Sequence, residues 1–238
     1  MWLLGFLCTS SGMLIGGIIA WLFKGLQQKV DIIYGLCAGI ILGLISFEIF
    51  PEAVELGGWL ITSIGLAVGV IVFEILHNRL HSNNDTKSTS KKRLYIRTGL
   101  LLMFSFSVHN IPMGIILGAN QKSDFTITLL QTLIFHSIPE GIILFTPLIL
   151  AGINIFIGIL AAFIVSIPVS LGVFIGGFLG LDSQLINTIL ISFTIGIIFM
   201  VTISEILYPV LIKPSIFKAL VSTLIGLGII GVYLKLLL

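Results

Sequence analysis

Charge is what this sequence has least of. Of its 238 residues only 9% are charged, with 12 Lys and Arg against ten Asp and Glu. A water-soluble domain carries about a quarter of its residues charged to cover its surface. A chain that is 57% hydrophobic, with a mean hydropathy of +1.21, has no such cover, so its solvent is lipid. The net charge of +2 is too small for a nucleic-acid partner, and none is expected. Cysteine is scarce as well. Cys8 and Cys37 both sit inside apolar runs, where they read as small buried hydrophobes and not as a disulfide or a redox pair. The first apolar stretch has no basic segment before it and no small-residue cleavage site after it, so it is expected to remain as a helix. Also missing are His-Glu-x-x-His, Gly-x-Ser-x-Gly and a second mid-membrane carboxylate to serve as a base, which leaves little support for an enzyme and implies no organic cofactor.

What the sequence does have is long apolar runs. A membrane-spanning helix needs about 20 such residues. On that length eight spans are predicted, over Leu3–Phe23, Ile32–Phe50, Trp59–Leu76, Ile96–Ala119, Phe125–Leu148, Ile153–Leu179, Leu185–Tyr208 and Ser215–Leu236. The polar segment 78–95, with HSNNDTKSTSKKR at its centre, reads as a flexible connecting loop. With both termini outside, Lys24, Lys29, Arg79, Lys87, Lys91, Lys92, Arg93, Arg97, Lys213 and Lys218 face the cytoplasm, and only Lys122 and Lys235 face out. That asymmetry obeys the positive-inside rule, and an odd number of spans would scramble it. Glycines at every fourth residue (Gly35, Gly39, Gly43; Gly114, Gly118; Gly172, Gly176) predict closely approaching helices and no particular chemistry.

Against this apolar background a few polar residues stand at mid-membrane depth. The fourth span carries His109-Asn110-Ile111-Pro112-Met113-Gly114, and the fifth carries His136-Ser137-Ile138-Pro139-Glu140-Gly141. Both fit the frame His-x-Ile-Pro-x-Gly. A lone intramembrane histidine is often only a hydrogen-bonding group between helices, but two matching hexads at one depth point to a metal or proton site. His109 and Met113 are four residues apart, as are His136 and Glu140, so each pair shares a helical face. Each proline frees a carbonyl one turn back, on Val108 and Phe135, so the segments should line protein or water and not lipid. Imidazole and carboxylate together suit zinc and its first-row neighbours.

The chain resembles the ZIP family of metal transporters along nearly its whole length. The two hexads are similar to that family's motifs His-Asn-x-Pro-Glu-Gly and (His/Gln)-x-x-Pro-Glu-Gly. The resemblance implies an all-α integral membrane fold, with eight transmembrane helices in a 3+2+3 arrangement and the metal site on helices 4 and 5. It implies a single transmembrane domain over residues 1–238, external termini, and metal moved into the cytoplasm by alternating access. His109, Asn110, His136 and Glu140 carry over as site residues. The transported substrate is expected to be zinc, with iron, manganese or cadmium as alternatives. The lipid bilayer, a plasma membrane and a homodimer complete the expected setting. Two departures stand out: Met113 where the motif usually has glutamate, and Ser137 at the second metal position. The sixth span, AAFIVSIPVSLGVFIGG, offers no acidic residue either. A single-ion site of His109, His136 and Glu140 with Met113 nearby is the expectation, of lower affinity and shifted toward softer ions. The alternative is a degenerate site in a non-transporting metal-binding protein or a proton-coupled one.

Two further segments resemble each other, SFEIFPEAVE and TISEILYPV. Each has Glu-Ile followed by proline, at Glu48 with Pro51 and at Glu205 with Pro209, one near the outer face and one near the inner. That is what an inverted repeat would give. Glu48, Glu52 and Glu55 are therefore candidates for cation entry, and Glu74, His77, His81 and Glu205 for exit. Simple solvation at a helix end explains the outer trio about as well.

Overall fold

A computed structural model gives the chain's architecture, and it describes residues 1–22, 30–81, 91–120, 125–179, 183–212, 214 and 216–237. Those residues are helical with no strand among them. The helices are α1 (Trp2–Leu22), α2 (Val30–Leu44), α3 (Phe50–His81), α4 (Lys91–Ala119), α5 (Phe125–Leu150), α6 (Ile155–Leu179), α7 (Gln184–Val201), α8 (Tyr208–Leu211) and α9 (Ile216–Leu237). Seven helical stretches are long and apolar enough to cross a membrane, the longest being Val30–Arg79. The molecule is an all-α, multi-pass membrane protein.

The predicted second and third spans run on as one helical path in which Gly58 alone leaves helical geometry, at φ 74° and ψ 167°. Only glycine adopts that conformation without strain. The helices also reach further than predicted: α3 continues to His81 and α4 begins at Lys91, so both ends of segment 78–95 are helical. Residues 82–90, with Lys87, lie outside the described residues, as do the connections bearing Lys24, Lys29 and Lys122.

Two wide π-helical turns interrupt the path, Ile45–Ile49 between α2 and α3 and Thr202–Leu207 between α7 and α8. Each closes on a backbone bond to the fifth residue back, Phe50 N–H to Ile45 and Tyr208 N–H to Ile203. Each ends two residues before a proline, Pro51 or Pro209. A proline ring collides with the carbonyl one α-turn earlier, and one extra residue in the turn moves that carbonyl aside. The two similar sequence segments therefore fold alike, and each turn carries its glutamate.

The helices pack as four pairs, seated on glycine. Gly16 of α1 lies so close to α5 that an added Cβ would fall 2.1 Å from Ile138 O. Gly114 of α4 and Gly172 of α6 face each other, as do Gly69 of α3 and Gly196 of α7, and Gly39 of α2 lies against Thr223 of α9. In every pair the contacts climb together in residue number. Gly12 meets Ile134 and Gly16 meets Ile138; Gly114 meets Val169 and Gly118 meets Val173; Gly57 meets Thr188 and Gly69 meets Phe193; Gly35 meets Ala219 and Gly43 meets Ile230. All four pairs run parallel. The polarity is inverted relative to a soluble protein. Trp59, Phe156, Phe174, Phe178 and Phe217 are exposed, while His109, Asn110, His136, Ser137 and Glu140 are buried at the centre. Lipid accepts the first set, and the second must find its partners inside.

Candidate metal centre

The centre is built on the two hexads. α4 contains Pro112 and α5 contains Pro139, one turn after His109 and one residue before Glu140. Gly114 and Gly141 let α6 and α1 close over these segments, since a Cβ at either would strike the backbone of Val169 or Met13.

Three side chains meet there. His109 Nε2 stands 3.0 Å from Glu140 Oε1, with both side chains almost wholly buried. The His109 and His136 rings have centroids 6.2 Å apart. Ligand atoms of His109, His136 and Glu140 all lie within 4.8 Å of one another. Among the described residues this is one group of three His, Cys, Asp or Glu side chains able to hold one ion. Around a tetrahedral zinc the donor atoms stand about 3.3 Å apart, given bonds of about 2.0–2.1 Å. Small rotations would bring the three donors onto such an ion.

The outer nitrogens fix how the rings are used. His109 Nδ1 lies 3.3 Å from the carbonyl of Ser105, and His136 Nδ1 lies 2.6 Å from that of Thr132. A nitrogen facing a carbonyl oxygen carries the proton, so each ring donates backward to its own helix and turns a bare Nε2 lone pair inward. Neither Nε2 has a hydrogen-bond partner, and neither does Glu140 Oε2. His109 Nε2 and Glu140 Oε1 are close enough to share one cation, a proton on the ring or an ion between them. Each unmade hydrogen bond at such depth costs about 1–3 kcal/mol, more for a charged group. One bound proton would satisfy one nitrogen and one oxygen. A metal ion satisfies both nitrogens and the carboxylate together.

Compared with known families, the sequence matches the ZIP zinc transporter family over residues 73–234, more than half of the chain. The chain belongs to the ZIP family. Members of that family are transporters and not enzymes, and the buried His and Glu cluster is compatible with a metal substrate. No curated protein matches the chain closely enough to add a relative.

The other predicted positions of this ZIP chain distribute around the cluster. Asn110 Nδ2 donates to Val165 O of α6 at 2.9 Å, leaving Oδ1 buried and unpaired. Ser137 Oγ is likewise buried without a partner. Met113 is buried one turn beyond His109. On one side, Glu48 accepts from the Thr132 hydroxyl at 3.2 Å, and Thr132 is the residue whose carbonyl holds His136. On the other, His77 Nδ1 pairs with Glu205 at 2.9 Å in a cleft lined also by Phe73, Ser105 and Val108, and Ser105 is the residue whose carbonyl holds His109. Glu74 accepts from Asn78 Nδ2 at 3.1 Å. Glu52 is half-buried and Glu55 is exposed, both in the first turns of α3. The side chain of His81 lies outside the described residues. Ser105 and Thr132 escaped the sequence reading. Their position four residues before each histidine was the available signal.

Proposed function

We propose that this protein carries a divalent transition metal, zinc foremost, across the plasma membrane into the cytoplasm, by alternating access through the centre of His109, His136 and Glu140. One observation carries the reading: two imidazoles and a carboxylate, fully buried, with ligand atoms within 4.8 Å of one another and each ring's Nδ1 turned to a carbonyl of its own helix. A permanent structural role would call for a donor in that cluster. A passing cation supplies what is missing.

Eight crossings, arranged 3+2+3, are part of the proposal. The stretch Val30–Arg79 has 50 residues, about 75 Å of helix against a hydrocarbon core of about 30 Å. Two helices that pack parallel must have an odd number of crossings between them. Counted once, the stretch would make α1 and α5 antiparallel; counted twice, with its reversal at Gly58, it makes all four pairs parallel, as found. Eight crossings also agree with external termini and the excess of Lys and Arg on cytoplasmic connections. The related π-turns and the matching pairs α1·α5 and α6·α4 support an inverted repeat about the centre.

In this frame Glu48 with Thr132 forms the outer approach to His136, and Glu205 with His77 the inner departure from His109. Uptake of radioactive zinc by cells making the protein tests the reading, with Glu140→Ala as control. Uptake lost in the variant at equal membrane expression is the expected result. Persistent uptake in that variant removes the centre from the pathway.

A further inference from the structure

The register of α4 against α5 points to a fourth donor. The two helices are consecutive and run in opposite directions, and the contact of His109 with Glu140 fixes their alignment at the centre. Moving four residues along α4 and four back along α5 brings Met113 level with His136. Met113 lies on the His109 face, is buried, and packs within the interior cluster. Across from it His136 Nε2 has no partner. The bound ion would otherwise face two neutral imidazoles and one carboxylate, with its fourth position open.

From this geometry we infer that the Met113 thioether completes the centre as a two-nitrogen, one-oxygen, one-sulfur donor set that selects soft cations, favouring Cd2+ over Zn2+ and rejecting Mn2+. The inference rests on the metal-carrier reading and names the substrate class of the same centre. Two physical arguments carry it. Thioether sulfur is a soft ligand that gives little to hard ions, whereas imidazole serves most first-row metals. Replacing a second carboxylate by a thioether also removes the negative charge that holds hard divalent ions by electrostatics alone. A divalent ion bound by a single carboxylate keeps one uncompensated positive charge in a buried setting, so polarisable donors must spread it. Leucine at this position would fill the same volume without the sulfur.

The test uses the full chain purified in detergent. X-ray absorption at the cadmium edge reads the donor atoms directly, and competitive binding of Cd2+ against Zn2+ gives the preference. Wild type should show a sulfur neighbour to cadmium that vanishes in Met113→Leu, and the preference for cadmium should fall about tenfold, the scale on which one ligand-shell change acts. Met113→Glu should reverse the order by admitting Zn2+ and Mn2+ more tightly. If wild type and Met113→Leu bind both ions with equal preference and no sulfur neighbour, Met113 is packing only, and this inference falls while the carrier reading stands. Should wild type bind neither ion, both fall together.

Discussion

His109 and His136 are alike in sequence frame, in backward hydrogen bond and in inward lone pair, and the difference between them is what stands opposite. Glu140 Oε1 stands 3.0 Å from His109 Nε2, and neither that nitrogen nor His136 Nε2 has a hydrogen-bond partner. An ion that pairs both rings with the carboxylate should stabilise the fold. Zinc at a hundred times its dissociation constant should raise unfolding stability by about 2.7 kcal/mol. Thermal unfolding in detergent, with and without zinc, measures this. Glu140→Gln should lose the zinc response while unfolding without metal no earlier than wild type, because it exchanges one buried acceptor for a donor; His136→Ala should lose the response too, but at a cost in stability, because it opens a cavity and strands the Thr132 carbonyl. A zinc response retained in both variants would place the ion elsewhere. At this scale the sequence was informative about which residues meet, since both hexads announce themselves by polar groups at apolar depth. It was silent on Ser105, Thr132 and Val165, because each acts through a backbone carbonyl that no side chain marks.

Among the helices, glycine decides how near each neighbour comes. Gly16 on α1 and Gly141 on α5 clasp the segment that bears His136 and Glu140, and a Cβ on Gly16 would meet backbone on three sides, at Ile138, Gly141 and Ile142. Backbone cannot rotate away as a side chain can, so Gly16→Ala should force the two helices apart. A loss of about 1–3 kcal/mol in stability and a weakened zinc response are expected. Gly228→Ala, where an added Cβ meets nothing within 4 Å, should leave both unchanged. Parallel thermal unfolding of the two variants checks the contrast, and equal effects would discount the clasp. Spacing in the sequence foretold such contacts but not which helices would share them, because partner choice is a tertiary matter. The π-turns are a sharper case. The likeness of the two Glu-Ile segments was readable, yet the widened turn follows from a clash between each proline and its preceding carbonyl that only a folded helix makes. Pro209→Ala removes that clash and restores an N–H. The turn should tighten, Glu205 should shift from His77, and zinc uptake should slow while zinc still stabilises the centre on α4 and α5.

At the scale of the whole molecule, the open quantity is how often the chain crosses the bilayer. Apolar length alone merges Val30–Arg79 into one stretch and returns seven. The basic residues, the glycine-borne parallel pairs and the break at Gly58 return eight, and these three arise from separate physics: surface charge, packing and backbone conformation. In the sequence the argument for eight rests on lysine and arginine, which resist crossing. It could not show that α2 and α3 join through continuous helical turns, since nothing in the composition of 45–58 separates a bent helix from a loop. Labelling distinguishes the counts. With Cys8 and Cys37 replaced by alanine, a single cysteine at Trp59, exposed beside the break, should react with a membrane-impermeant maleimide added to intact cells. A single cysteine at Ser88 should react only after the membrane is opened. With seven crossings residue 59 would lie within the bilayer and stay unlabelled, and residues 59 and 88 could not be sorted to opposite sides. That outcome would make α1 and α5 antiparallel, against the contacts of Gly12 and Gly16. It would also put the Glu48 turn within the bilayer, so the outer approach to His136 would have to be sought on another helix.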